Sequence, residues 1–313
     1  MKSPLSSAAA TLVSRFRRQR PLRGGSLLVT IFGDAIAPRG GAIMLGSLIE
    51  LAVPFGLNER LVRTAMSRLV EEGWLENRRL GRLSEYRLSR AGAKRFATAT
   101  QQIYAAPAGE WTGLWTVVVV PGARRGPAVS REAAREALAW AGFGEAAAGV
   151  FVHPALPEPD LKHLLASDRA LAQAIVFTTA SATAASGQAL ATLGWDLGEL
   201  AGRYRTFVAR FTPALEALAS RDSPDPLACF LLRTLLVHEY RRIHLRDPLL
   251  PPELLPADWV GADAYRLCRS IYARIAPIAE QHLSGHAATL EGPLPAATAE
   301  FWARFGGLRE PRR

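Results

Sequence analysis

Gly56-Leu57-Asn58-Glu59-Arg60-Leu61-Val62-Arg63-Thr64-Ala65-Met66-Ser67-Arg68-Leu69-Val70-Glu71-Glu72-Gly73 is the stretch that decides the fold. Asn58 is an N-cap, its side-chain oxygen placed to accept from the free N–H groups of a first turn, and Gly73 supplies a left-handed stop. Together they predict a helix over about Glu59 to Glu72. At roughly 100° per residue, Leu61, Val62, Ala65, Met66, Leu69 and Val70 share one half of its circumference, and Arg60, Arg63, Thr64, Ser67, Arg68 and Glu71 share the other. Upstream, Ile43 to Ala52 reads as another apolar helix, and Pro54-Phe55-Gly56-Leu57 as the tight turn that joins the two. The pair is a helix-turn-helix whose second helix turns Arg, Thr and Ser outward.

Downstream lies a wing. Trp74 to Arg79 and Ser84 to Leu88 are strand-like, and Leu80-Gly81-Arg82-Leu83 between them holds the glycine a hairpin tip needs. Ser89 caps a closing helix, Arg90 to about Tyr104. Helix, helix, helix, hairpin, helix is the order of a winged helix-turn-helix. The charge agrees: residues 1–105 hold 17 Lys+Arg and 7 Asp+Glu, residues 106–313 hold 21 of each, so the whole net charge of +10 sits in the first third. A basic head on a neutral body is the footprint of a polyanion binder, because DNA attracts only the part that touches it. The expected base-reading residues are Arg60, Arg63, Thr64, Ser67 and Arg68. Arg78, Arg79 and Arg82 on the wing are expected to grip phosphate or a minor groove. Residues 1–25, rich in Ser, Ala and Arg and free of acids, read as a basic flexible arm. A small α+β domain with a solvated charged face is the bland alternative, and three basic elements near one helix-turn-helix argue against it.

The residues carry a family likeness. Ser26-Leu27-Leu28-Val29-Thr30-Ile31-Phe32-Gly33-Asp34, Pro38-Arg39-Gly40-Gly41, Gly56 to Ala65, Gly73-Trp74-Leu75 and Gly81 to Leu88 resemble the start of the PaaX-type repressors of phenylacetate degradation. Trp111-Thr112-Gly113-Leu114-Trp115, Leu245 to Pro251 and Leu254 to Gly261 resemble that family's middle and C-terminal signatures, so the likeness runs in order from about residue 25 to 285. It implies a bacterial transcriptional repressor, usually dimeric, on promoters of aromatic-acid catabolic genes, released from DNA by phenylacetyl-CoA or a related acyl-CoA. One departure is Pro121-Gly122-Ala123-Arg124-Arg125, where the family pattern has an acidic residue.

The middle of the chain alternates strand and helix: Trp115 to Val120, a helix capped by Ser130 to about Trp140, Ala148 to Val152, a helix from Pro159 to Ala166, and Ala174 to Thr178. A βαβ-rich segment of this length predicts a ferredoxin-like module. A metal-dependent nuclease on such a fold needs carboxylates at strand ends; Pro121 and Pro154 stand there instead, so a spacer and dimerisation platform is expected. From Trp195 on, helices are expected at Leu197 to Phe211, Pro226 to His244, Asp263 to Gln281 and Ala296 to Phe305. The fold class is therefore α+β: arm 1–25, winged helix-turn-helix 26–108, ferredoxin-like domain 109–182 and helical effector-binding and dimerisation domain 195–313, with joints at 105–110 and 180–194.

A CoA thioester calls for Arg forks on its phosphates and an aromatic or apolar slot. Two regions offer them: Tyr240, Arg241, Arg242, His244 and Arg246 near one helix end, and Trp195, Arg203 and Tyr204 on a neighbour. Each can equally brace a helix joint or fill core. His282 and His286 are spaced for a metal, yet Ser284-Gly285 between them predicts a helix end and no third ligand is near, so no metal or cofactor is expected. Cys229 and Cys268 lie isolated in apolar helices, as reduced thiols of a cytosolic protein do. No Gly-x-Ser-x-Gly elbow, phosphate loop, secretory signal or membrane-length apolar run is present. The expected partners are double-stranded operator DNA, an acyl-CoA effector and a second copy of the chain, in the cytoplasm and without a membrane. Two alternatives stay open: a same-fold regulator answering to another metabolite or a partner protein, and an acyl-CoA-processing enzyme with a DNA-binding head.

Overall fold

The computed structural model describes residues 3–106, 110–121, 131–154, 156–167, 169–181, 183–220 and 223–308. The chain opens with helix α1 (Pro4–Arg17), whose Ser3 side chain accepts from Ser6 N. Pro4–Arg17, expected within a flexible arm, is thus helical. Leu5, Ala9, Leu12, Val13 and Phe16 recur at helical spacing and are buried, a stripe that composition alone conceals. Helix α2 (Gly24–Ile31) continues through a π-helical turn, Phe32–Ile36, and a 3-10 turn, Ala37–Arg39. The apolar run expected as one helix divides into strand β1 (Ala42–Met44) and helix α3 (Leu45–Ala52), because Ala42 and Ile43 pair with the wing.

Helix α4 (Glu59–Glu71) starts at Asn58, whose Oδ1 accepts from Leu61 N at 2.9 Å, and stops before Gly73 at φ 71°. The wing strands β2 (Leu75–Leu80) and β3 (Leu83–Leu88) pair with Leu80 opposite Leu83, so Gly81 and Arg82 form the tip. The three-stranded sheet has the order β1-β3-β2. Ser89 caps α5 (Arg90–Tyr104), accepting from Gly92 N at 2.9 Å.

Next come β4 (Leu114–Val119), α6 (Arg131–Trp140), β5 (Gly144–Ala147), β6 (Val150–His153), α7 (Glu158–Ser167), β7 (Ile175–Ala180) and α8 (Ala184–Gly194). The sheet is antiparallel in the order β5-β6-β4-β7, the strand order of a βαββαβ ferredoxin-like module. The run expected as one strand, Ala148 to Val152, is instead the turn and second strand of a hairpin, with Gly149 at φ 78°. Gly144-Glu145-Ala146-Ala147 carries no β-branched residue to announce its strand. The segment 180–194, expected as a joint, holds α8, and Ala191 is fully buried with Trp115 and Val152. Phe151 and Val118 pack on the other side of the sheet with Ala134 and Leu138 of α6. Ser130 and Gly122 to Arg125 lie outside the described residues.

The chain ends with α9 (Leu197–Ala217), α10 (Pro226–His244), α11 (Gly261–His286), the short strands β8 (Ala288–Thr289) and β9 (Gly292–Pro293), and α12 (Ala299–Trp302) followed by a 3-10 turn at Arg304–Gly306. Two compact units result: residues 1–106, 204–245 and 263–313 in the first, residues 107–203 and 246–262 in the second. The segment 195–313, expected as one helical domain, divides between these two units. Most of α10 and α11 belongs with the winged head, because α10 is buried nearly all round, Arg233, His238 and His244 included, and so has neighbours on most sides. It packs on α1, α2 and α5.

A buried ionic cluster fastens this unit. The Asp34 carboxylate accepts from Tyr104 Oη at 2.6 Å, Tyr272 Oη at 2.7 Å, Arg233 Nε at 2.6 Å and Arg304 Nη1 at 3.0 Å. Burial alone would raise this carboxyl; the guanidinium groups of Arg233 and Arg304 and the two tyrosine hydroxyls outweigh it and hold it below the usual value. Arg233 also reaches Glu280 at 2.5 Å, and Arg39 pairs with the same glutamate. Arg39, Arg233 and Arg304 all lie over the Phe301 ring at about 5 Å.

Candidate DNA interface and effector region

The candidate recognition surface is built from α4. Val62, Met66 and Leu69 are buried, and Arg60, Arg63, Thr64, Ser67 and Arg68 are all exposed. Arg63 Nε donates to Glu59 Oε1 at 2.8 Å, Arg68 Nε to Glu72 Oε1 at 2.6 Å, and Thr64 Oγ1 to the Arg60 carbonyl at 2.9 Å. These one-turn pairs are exposed and weak, so they hold the side chains along the helix at little cost to any partner that draws them off. An open groove of about 700 Å³ runs between α4 and the start of α2.

Arg78, Arg79 and Arg82 are exposed on the wing. Arg78 Nη1 stands 3.8 Å from Glu291 Oε1 on the turn between β8 and β9, so its charge is partly answered within the chain. Arg82 sits at the tip between Leu80 and Leu83, which are 62 % and 50 % exposed, an apolar pair that the reading of the sequence did not single out. Pairing Leu80 opposite Leu83 in a two-residue hairpin was the available signal.

The eight residues expected at the effector divide between the units. Trp195, Arg203 and Arg246 belong to the second. There Trp195 stacks on Trp115 with ring centroids 6.5 Å apart, Arg203 pairs with Glu199 at 2.5 Å, and Arg246 is exposed. Tyr204, Tyr240, Arg241, Arg242 and His244 belong to the first. His244 Nε2 faces the Gln102 carbonyl at 3.1 Å and donates to it, which leaves Nδ1 with a single acceptor lone pair within reach of Tyr204 Oη at 3.1 Å and Tyr240 Oη at 3.2 Å. Tyr204, Tyr240 and His244 are buried, and the triad ties α9 and α10 to α5.

Arg241 likewise bonds inward. Its Nε donates to Thr30 Oγ1 at 2.8 Å, and its Nη2 to Ser26 O at 2.7 Å and Ser26 Oγ at 2.9 Å, which clamps α10 onto α2. Burial and the neighbouring Arg242 push its guanidinium down to about 10. Because Thr30 Oγ1 spends its proton on Ser26 O at 3.1 Å, it accepts from His238 Nδ1 at 3.1 Å, and His238 Nε2 is left buried without a partner. Burial, then Arg241, Arg242 and Arg23, drive this imidazole down to about 3, so it is neutral. Arg242 stands 3.6 Å from Glu239. A cavity of about 100 Å³ lies beside Arg241, lined also by Val29, Thr30, Trp74, Phe96 and Ile103.

Asp34, Arg39, Arg233, Glu280 and Arg304 were not expected as a group. The signal was present in Leu27 to Arg39, an apolar run interrupted by one acid and one Arg, since a charge in a buried helix requires a partner elsewhere. Among the described residues, no three His, Cys, Asp or Glu side chains converge as a metal site, and no helix is long and apolar enough to cross a membrane. Cys229 and Cys268 are free and buried, and burial raises both thiols, that of Cys229 to about 12.

Known proteins place this architecture. Residues 23–92 match the family described as PaaX-like protein, residues 108–191 the PaaX protein central Cas2-like domain, and residues 195–285 the PaaX-like protein C-terminal domain. The transcriptional repressor PaaX of Escherichia coli strain K12 is 38% identical over 292 residues, which cover 92% of each chain. The solved structure of an uncharacterized protein, Rv0674 from Mycobacterium tuberculosis, superposes with a TM-score of 0.51 at 25% identity, over 75% of this chain and 89% of that one. With three consecutive family segments and a relative matched over 92% of both chains, the chain belongs to the PaaX-like family of transcriptional repressors and is not an enzyme.

Proposed function

We propose that this repressor acts as a homodimer in the cytoplasm, on an imperfect inverted repeat in promoters of aromatic-acid catabolic genes, and that an aryl-acyl-CoA such as phenylacetyl-CoA releases it. The observation that carries the DNA half is the exposed arc of α4, where Arg60, Arg63, Thr64, Ser67 and Arg68 share one face and no core residue interrupts them. Arg forks on guanine and hydroxyls that serve several bases are what a major groove reads. Arg79 and Arg82 on the wing add phosphate or minor-groove contacts, with Arg78 drawn from Glu291. Two heads related by a twofold axis then read half-sites spaced by a helical turn or its multiples.

The effector half rests on the family and on the placement of α10. Its basic end, Arg241, Arg242 and His244, is bonded to α2 through Ser26 and Thr30 and to α5 through Gln102, so a ligand that draws on this end acts on the head directly. The ligand must bind the DNA-incompetent form more tightly, because equal affinity shifts nothing. A fluorescence-anisotropy titration on the protein's own upstream promoter and a scrambled duplex, at fixed salt, tests both halves. Specific binding abolished by phenylacetyl-CoA, and left alone by phenylacetate and free CoA, is the expected result; no preference over scrambled DNA refutes the first half. A second reading, a different small-molecule effector, is favoured by the inward bonds of Arg241, which leave that fork occupied. Thermal-shift screening of acyl-CoAs against free aromatic acids separates the two.

A further inference from the structure

Arg17, Arg18, Arg20 and Arg23 are exposed and crowd the joint between α1 and α2. The first acid in the chain is Asp34, and among the described residues none of the four has a carboxylate partner. Arg63 and Arg68 on α4, by contrast, are each answered by a glutamate one turn away. The joint is also fixed in place. Arg17 Nη2 donates to the Pro54 carbonyl at 2.9 Å, and a Cβ at Gly56 would come within 2.8 Å of Arg17 Nε, so the end of α1 lies on the turn that leads into α4. Beside it the open groove of about 700 Å³ has Gly24, Gly25 and Ser26 on one wall and Arg60, Thr64 and Arg68 on the other; apolar side chains such as Leu61 and Leu69 line it too, and its carboxylate, Glu72, is engaged by Arg68. Gly25 leaves that wall without a side chain, and an added Cβ would meet only Ala65 Cβ, at 4.0 Å.

We propose that the α1–α2 joint is a second DNA-contacting surface: one sugar-phosphate strand of the duplex seats in the groove between α4 and the start of α2, and Arg17, Arg18, Arg20 and Arg23 neutralise its phosphates. The inference rests on the DNA reading above and extends the contact beyond the winged helix to a helix that composition presents as a loose arm. A polyanion is the partner because four uncompensated guanidinium groups gain most from a regularly spaced line of negative charge, and because releasing its condensed counterions adds to each contact. Such contacts set affinity and register and carry no base choice.

The test uses the full-length protein, the triple variant Arg18→Ala/Arg20→Ala/Arg23→Ala, and Gly25→Glu, on the upstream promoter duplex and a scrambled duplex across a series of salt concentrations. Arg17 is left in place because it braces the turn at Pro54. Each lost phosphate contact removes about 0.9 from the slope of log Kobs against log salt, so the triple variant should flatten it by about 2 to 3 on both duplexes while their affinity ratio stays the same. Gly25→Glu should weaken both duplexes by a common factor with the fold retained, because an acid in the first turn of a helix is favourable to it. A folded triple variant whose slope stays within about 0.5 of the parent, or a Gly25→Glu variant of unchanged affinity, overturns the second surface and leaves the repressor reading standing. A parent protein with no salt-dependent affinity for either duplex overturns both.

Discussion

Replacing Asp34 with Asn keeps the shape of the side chain and removes its charge, which isolates what the buried cluster contributes. In the native protein the carboxylate accepts four bonds, from Tyr104, Tyr272, Arg233 and Arg304, at 2.6 to 3.0 Å. An amide oxygen placed as Oδ1 can still accept from Tyr104, Tyr272 and Arg304. The amide nitrogen then faces Arg233 Nε, donor against donor, where Oδ2 had accepted at 2.6 Å. Arg39, Arg233 and Arg304 would share a buried site with Glu280 as the remaining carboxylate. Breaking a buried pair by removing one partner costs about 3 to 5 kcal/mol, because the other charge stays desolvated. At about 2 to 4 °C per kcal/mol for a unit of this size, the first unit should melt roughly 6 to 20 °C lower. Thermal unfolding followed by near-ultraviolet circular dichroism measures the shift. Adding Arg233→Met should recover part of the loss, since the charge that lost its partner is then gone too. A loss under about 1 kcal/mol in Asp34→Asn, or a double variant no better than the sum of the two singles, refutes the argument that the cluster is held together by charge.

Arg63→Ala should cost about 1 to 3 kcal/mol of operator affinity and relax base choice, whereas Arg82→Ala should weaken operator and scrambled DNA alike and flatten the salt slope by about 1; anisotropy on a panel of single-base operator variants distinguishes the two. His238 is held neutral, its imidazole down at about 3 against an ordinary 6.5, so the folded state binds fewer protons than the unfolded one. Stability from this group is full above about pH 6.5 and falls as the pH drops toward 3, by about 2 kcal/mol between pH 7 and pH 5. In urea titrations over that range the parent should lose more than His238→Gln, and equal losses would mean that His238 does not carry the dependence. Asn58→Ala removes the side-chain acceptor of Leu61 N and should cost about 0.5 to 2 kcal/mol of stability, read from the urea midpoint.

The winged head was legible because its elements carry local punctuation. Asn58, Gly73, Gly81 and Ser89 each perform the local task their residue type advertises, and α4, the wing and α5 fall within a residue of expectation. Elements whose identity depends on distant partners were not. Residues 42–44 are as apolar as a helix start and become a strand only because β3 offers a free edge. The helix at residues 4–17 hides among Ser, Ala and Arg, and its stripe of Leu5, Ala9, Leu12, Val13 and Phe16 gains meaning from the surface of α10 that it covers. The exposed arginines of α4 could be read from period alone, but the partners of Arg241 could not, since Ser26 and Thr30 lie more than 200 positions away in the chain.

Those long-range bonds constrain how such a repressor can let go of DNA. A regulator with a separate sensing body releases its operator by moving the head about a linker. Here α10 and the C-terminal turn are built into the head: Arg233 and Arg304 hold Asp34, Arg241 holds Ser26 and Thr30, and His244 holds Gln102. Hydrogen bonds to charged groups contribute about 1.5 to 3 kcal/mol each, so sliding α2 against α10 would break several of them at once and cost more than the roughly 5.5 kcal/mol that inverts a two-state population from 1:99 to 99:1. A ligand acting through α10 therefore does better to move the head as one body than to distort it. For a dimer on an inverted repeat, a rigid movement of each head is sufficient, because a small rotation alters the spacing of the two recognition helices against a fixed helical repeat while each recognition face stays intact. On this argument the effector should abolish binding to the full operator and leave the weak affinity for an isolated half-site nearly unchanged.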